Sequence, residues 1–178
     1  QRALSIDGLL AGFYAARLRR LTARIDAAPL FAHAYSHHLN LRFGGAGPHD
    51  LLEFAASHGL CGLKIHVEDG EEHSLLRMDG AARRAFGATA AGLGLALHVE
   101  TSSTARAELT AAVEIAADID ARSVRSYPRY EGHVSDIMRR TIADLKTIPE
   151  LDPGRRFRFT LEQHEDLKSR ELVEIVRA

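Results

Sequence analysis

The sequence predicts an α/β fold: an N-terminal helix followed by about the first five βα units of an eight-stranded TIM (β/α)8 barrel. Three observations predict it. Five short runs of alternating polarity, at 31–38, 63–68, 93–100, 124–130 and 157–164, begin about 30 residues apart, the length of one strand plus its covering helix. The runs alternate, whereas central strands of an open doubly wound sheet are covered on both faces and read as continuous apolar stretches. Three of the runs also share one phase. In Leu63-Lys64-Ile65-His66-Val67-Glu68, Leu95-Ala96-Leu97-His98-Val99-Glu100 and Phe157-Arg158-Phe159-Thr160-Leu161-Glu162-Gln163-His164, the ionisable residues all fall on one face of the strand. Isolated buried charges cost several kcal/mol each, so Lys64, His66, Glu68, His98, Glu100, Arg158, Glu162 and His164 fit a polar barrel mouth better than a dry core.

In chain order, a helix over about 7–27 carries Leu10, Phe13, Leu18, Leu21 and Ile25. The first strand ends in Tyr35-Ser36-His37-His38, which closes one side of a pocket; of the two adjacent histidines only one can face inward on a strand. A loop at 44–48 leads to a helix near 51–58. Its glycines lack the Lys-Ser/Thr of a P-loop and the spacing of a dinucleotide fingerprint. Ser103 and Thr104 are candidate caps for a helix with the stripe Leu109, Ala112, Val113, Ala116 and Ile119. Val134, Ile137, Met138, Thr141, Ile142 and Leu145 mark the next helix, stopped by Pro149 and the Asp152-Pro153-Gly154 turn. Ser169 is a candidate N-cap for a last helix carrying Leu172, Val173 and Val176. Arg19-Arg20 and Arg83-Arg84 read as solvated helix faces.

The 178 residues contain 23 Lys plus Arg, 24 Asp plus Glu and 46% hydrophobic residues. That composition supports a packed core and excludes a disordered or disulfide-stapled chain. A net charge of −1 argues against nucleic-acid binding, which needs a basic face. Cys61 is the single cysteine, expected buried and in a reducing compartment. No apolar run approaches the roughly 20 residues of a membrane span, so the expectation is a soluble, cytoplasmic protein. No linker divides the chain, and one domain over 1–178 is expected. A complete barrel needs roughly 250 residues, and a lone five-unit piece exposes two sheet edges. The expectation is therefore a barrel truncated on its C-terminal side, both ends being cut.

The order of residues over 31–178 resembles the xylose-isomerase-like superfamily of sugar isomerases and epimerases, which also contains endonuclease IV. The strongest local signal is Phe159-Thr160-Leu161-Glu162-Gln163-His164 followed by Ser169-Arg170-Glu171-Leu172-Val173. Members commonly show an apolar strand ending in Glu-Asn-His, where this chain has Gln163. The resemblance implies that Glu162 is the strand-five carboxylate that ligates a divalent metal ion (Mn, Mg, Co or Zn). It places the other ligands on strands beyond residue 178, and it implies a carbohydrate substrate and association into homo- or hetero-oligomers.

Isomerising or epimerising a sugar beside its carbonyl requires a base to remove a carbon-bound proton and a stabiliser for the enediolate, and a divalent cation can supply the second part. Glu162 is the candidate ligand and base. His66 and His98 are candidates to bind hydroxyls or carry protons, and Tyr35, Glu100 and His164 to line the substrate pocket. Arg125 or Arg129, beside Tyr127 and Tyr130, is a candidate for a carboxylate or phosphate. Lys64, deeper in the barrel, is expected to pair with Glu100 or another carboxylate. A metal-dependent isomerase or epimerase leads. The rivals are a lyase using the same enolate chemistry, a Schiff-base aldolase through Lys64, an AP-endonuclease-like enzyme and a non-catalytic sugar-binding barrel.

Overall fold

A computed structural model describes residues 6–164 and 167–178. Where one domain is expected, the backbone contacts divide the chain into two compact units, 1–30 and 31–178. The first contains α1 (Ile6–Asp26). Of the stripe expected on it, Leu10, Phe13, Leu18 and Leu21 are exposed, and the Ile25 side chain lies outside the described residues.

The second unit holds β1 (Phe31–His33), α2 (His38–Phe43), α3 (Pro48–Ser57), β2 (Gly62–His66), α4 (Gly80–Gly92), β3 (Ala96–Glu100), α5 (Arg106–Asp118), β4 (Ser123–Ser126), α6 (Val134–Leu145), α7 (Ile148–Leu151), β5 (Arg158–Leu161) and α8 (Ser169–Arg177). The five strands form one parallel sheet in the order β1-β2-β3-β4-β5. Sequential order without reversal is barrel topology; a doubly wound sheet would switch direction partway.

The register explains the alternation seen in the sequence. Leu63 pairs with Leu97, Ile65 with Val99, Val99 with Val124 and Val124 with Phe159. The first five of these residues are all at most 2% exposed, each worth about 1.5–3 kcal/mol of apolar burial. They pack beneath α3, α4 and α5 with Leu52, Phe86, Ala112 and Ile115. The stripe expected for α5 is buried throughout. On the other face, the row His33, Lys64, His98, Ser123 and Arg158 lies in register, and above it the row His66, Glu100, Arg125 and Thr160. Lys64, His98 and Glu162 thus share one face.

Close approach of α4 to the end of α5 rests on Gly87, where an added Cβ would meet the Ile119 backbone at 2.7 Å. Gly87→Ala is expected to cost about 1–3 kcal/mol by overpacking, measured by urea denaturation.

Several local expectations change. The 31–38 run is a strand only to His33; Ala34–His37 is a 3-10 turn, so the alternation rule for His37 and His38 does not apply there. His37 packs edge-on against Phe54 and His38 stacks on Tyr35. Ser103 and Thr104 precede the true N-cap of α5, Ala105. The Thr104 hydroxyl instead donates to Asp144 at 2.9 Å. Pro149 sits in the first turn of α7 rather than ending α6, where its missing N–H costs nothing. The α8 cap is Lys168, whose N–H donates to the Glu171 carboxylate at 2.6 Å. Arg83 is not solvated: its Nε donates to the Leu75 carbonyl at 2.8 Å and it pairs with Asp118. Cys61 is exposed, not buried. Among the described residues no helix is long and apolar enough to cross a membrane.

Candidate active site at the carboxyl ends of the strands

His66 and Glu100 are the last residues of β2 and β3, Arg125 is the penultimate residue of β4, and Glu162 follows β5 directly. In a parallel α/β sheet this is the end where sites form, because every strand delivers its following loop there. The side chains surround a cavity of about 490 Å³ whose walls include Tyr35, His66, Glu100, Arg125, Glu162 and His164. Of the residues singled out for the site in the sequence, His98 is missing from this wall. It lies one row deeper, where Nδ1 meets the Ser123 hydroxyl at 2.6 Å and Phe31 packs edge-on against its ring. Lys64, in the same row, does not line the cavity either, which leaves a Schiff-base route without support. A smaller cavity of about 270 Å³ between Leu109, Ile142, Phe159 and Ile175 is mostly apolar.

A charged chain organises one wall. Glu100 is 2% exposed and one of its oxygens meets the Arg125 guanidinium at 2.6 Å and His33 Nε2 at 3.0 Å. Arg125 also pairs with Glu162. The expected partner of Glu100, Lys64, is therefore replaced by Arg125, its neighbour in register on β4. The consequence is that Arg125 arrives in the cavity already flanked by two carboxylates, and Arg129 lines the same cavity. That guanidinium donates to the Tyr127 hydroxyl at 3.1 Å and lies over its ring.

Next to this charged chain is a hydrogen-bonded array. His66 Nε2 lies 2.7 Å from the Ser102 hydroxyl oxygen, and the Tyr127 hydroxyl donates to that oxygen at 2.9 Å. The Glu68 N–H donates to His66 Nδ1 at 3.2 Å, and the His66 N–H to the Asp69 carboxylate at 2.9 Å. The His164 ring stacks on Tyr127, centroids 4.3 Å apart. His33, Asp69 and Ser102 are not among the residues singled out in the sequence: His33 joins the site by pairing with Glu100, and Asp69 and Ser102 follow the ends of β2 and β3.

Burial lowers the pKa of His66 against the opposing pull of Asp69 and Glu68. Burial, then Lys64, lowers that of His98, while burial raises Asp69. Both imidazoles are thus neutral at pH 7. For a group whose folded pKa is depressed by burial, the unfolded chain binds the proton first, so stability is lost as pH falls below the unfolded value near 6.5. Thermal melting is expected to drop on acidification through that range, with a shallower drop in His98→Asn.

Behind the site, Tyr130 donates to Asp144, the acceptor of Thr104 as well. Burial and that carboxylate push the phenol up to about 12. This link anchors the loop carrying Tyr127 and Arg129 to α6.

Among the described residues no group of three or more His, Cys, Asp or Glu side chains is arranged to hold a metal ion, and Glu162 is engaged by Arg125.

Comparison with solved structures places the fold. D-psicose 3-epimerase from Clostridium cellulolyticum H10, solved with D-tagatose, superimposes with a TM-score of 0.67 at 14% identity over 84% of this chain and 59% of that one. A D-psicose 3-epimerase solved with D-fructose gives 0.66 at 12% over the same shares. A xylose isomerase domain protein from Planctomyces limnophilus gives 0.58 at 14%, over 84% and 58%. The fold, a sheet of five parallel strands with covering helices, is shared with these barrel proteins. In sequence, the chain is similar to the uncharacterized protein YihM of Escherichia coli (strain K12), 45% identical over 159 residues, 89% of this chain. The chain spans about half of that relative's length, 49%. No protein-family description matches it.

Proposed function

We propose that the protein is a sugar isomerase or epimerase that works by removing a proton from the carbon beside a carbonyl. The observation that carries the proposal is the convergence of a carboxylate, Glu162, and a set of hydrogen-bond donors on one cavity at the carboxyl ends of the strands, on a fold shared with sugar epimerases. In this reading Glu162 takes the proton, and Arg125 holds it as a carboxylate in place against Glu100. Stacked Tyr127 and His164 wall the cavity, and Tyr35 closes its other side. His66 is neutral and orients its neighbours.

A divalent ion remains part of the proposal through Glu162, which this chain offers as one donor. When bound, such an ion would polarise the substrate oxygens.

The test is incubation of the full-length protein with D-fructose, D-tagatose and D-psicose, with products separated by chromatography. Formation of an isomer or epimer supports the reading. Loss of water, carbon dioxide or an aglycone from an oxidised sugar, with no isomerisation, would replace it with a lyase.

A further inference from the structure

Ser102, on the loop after β3, lines the cavity and sits where two donors meet. The Arg129 guanidinium can only donate, so the Tyr127 phenol oxygen accepts from it, and the phenol hydrogen goes to the Ser102 oxygen. The ring of His66 settles the second bond. Its Nδ1 accepts from a backbone N–H, so a neutral ring carries its proton on Nε2, and that N–H donates to the same serine oxygen. Both lone pairs of the Ser102 hydroxyl are thereby occupied. Its own hydrogen has no acceptor among the described residues, and the side chain borders the cavity.

We propose that the Ser102 hydroxyl is the donor that binds the oxygen on which negative charge develops during the reaction. Two accepted hydrogen bonds, one of them fed by the Arg129 charge through Tyr127, polarise its O–H and make it a stronger donor than a solvated serine. A fixed donor aimed at a developing oxyanion contributes in the transition state and little to ground-state binding. In this arrangement His66 is a positioning residue, because both its ring nitrogens are engaged and neither is available to the substrate. The inference deepens the isomerase reading, since an enediolate is the oxyanion it would serve.

The test uses the full-length protein and compares its binding of a pentonohydroxamate, which mimics an enediolate, with its binding of the matching pentitol, by calorimetry. The wild type is expected to prefer the hydroxamate, and Ser102→Ala to weaken it about 100-fold while changing pentitol affinity less than about threefold. Ser102→Thr, which keeps the O–H, should restore much of the preference. Equal losses for both ligands, no loss for either, or a wild type without preference would overturn the assignment. A wild type that turns over no ketose but keeps a Ser102-dependent hydroxamate preference would remove the isomerase reading and leave the donor role standing.

Discussion

Replacing Arg125 with Leu is expected to cost roughly 3 kcal/mol of stability, the lower end of the range for breaking a buried ion pair by deleting one partner. The cost arises on Glu100. That carboxylate is 2% exposed and keeps only His33, whose side chain is 39% exposed, once the guanidinium is gone. Arg125 itself is 24% exposed, which is why the lower end applies. Urea denaturation of Arg125→Leu, Glu100→Gln and the double variant tests the pairing: neutralising Glu100 should recover much of the loss, giving a coupling of about 1–3 kcal/mol. Arg125→Lys should rescue only in part, because a point charge cannot fork between Glu100 and Glu162. A single-variant loss within about 0.5 kcal/mol, the level of an ordinary surface substitution, would show that the network is not formed as described.

Glu162→Gln is expected to lower kcat by about 100- to 10,000-fold, the range for removing a positioned general base, with KM changed only a few-fold. The side chain is 35% exposed and the substitution preserves its shape, so folding should be nearly unaffected. His98→Asn provides the contrast. His98 lies in the row beneath the cavity, held by Ser123 and Phe31, and its replacement should leave kcat within a few-fold of wild type. Equal losses in the two variants would mean that the cavity wall is not where the chemistry occurs.

What the sequence disclosed follows from periodicity. The two-residue repeat on β2, β3 and β5 assigns each side chain to a face without reference to other strands, so the shared orientation of Lys64, His66, His98, Glu100 and Glu162 was readable. Pairing was not, because it depends on register: Arg125 lies beside Glu100 only because β4 aligns with β3 at that residue, and nothing in either run specifies it. Relative depth between strands was equally hidden, and it separates His66 from His98, two histidines in the same phase. Ser102 and Asp69 follow their strands rather than belonging to them, where alternation no longer applies. A usable signal remained for Ser102. A small hydroxyl residue two places after Glu100 continues the inward phase past the strand end, as Tyr127 does two places after Arg125. The capping error at Thr104 has a physical cause: Thr is a good cap in isolation, yet here a tertiary acceptor, Asp144, competes for the hydroxyl.

The measurement that bears most directly on the proposed chemistry is hydrogen exchange at carbon. The full-length protein, incubated in D2O with a ketose that it converts, is expected to introduce solvent deuterium at the carbon beside the carbonyl, followed by proton NMR, and Glu162→Gln should abolish the incorporation. Conversion without any deuterium entering that position, or incorporation that survives in Glu162→Gln, would contradict proton abstraction by this carboxylate.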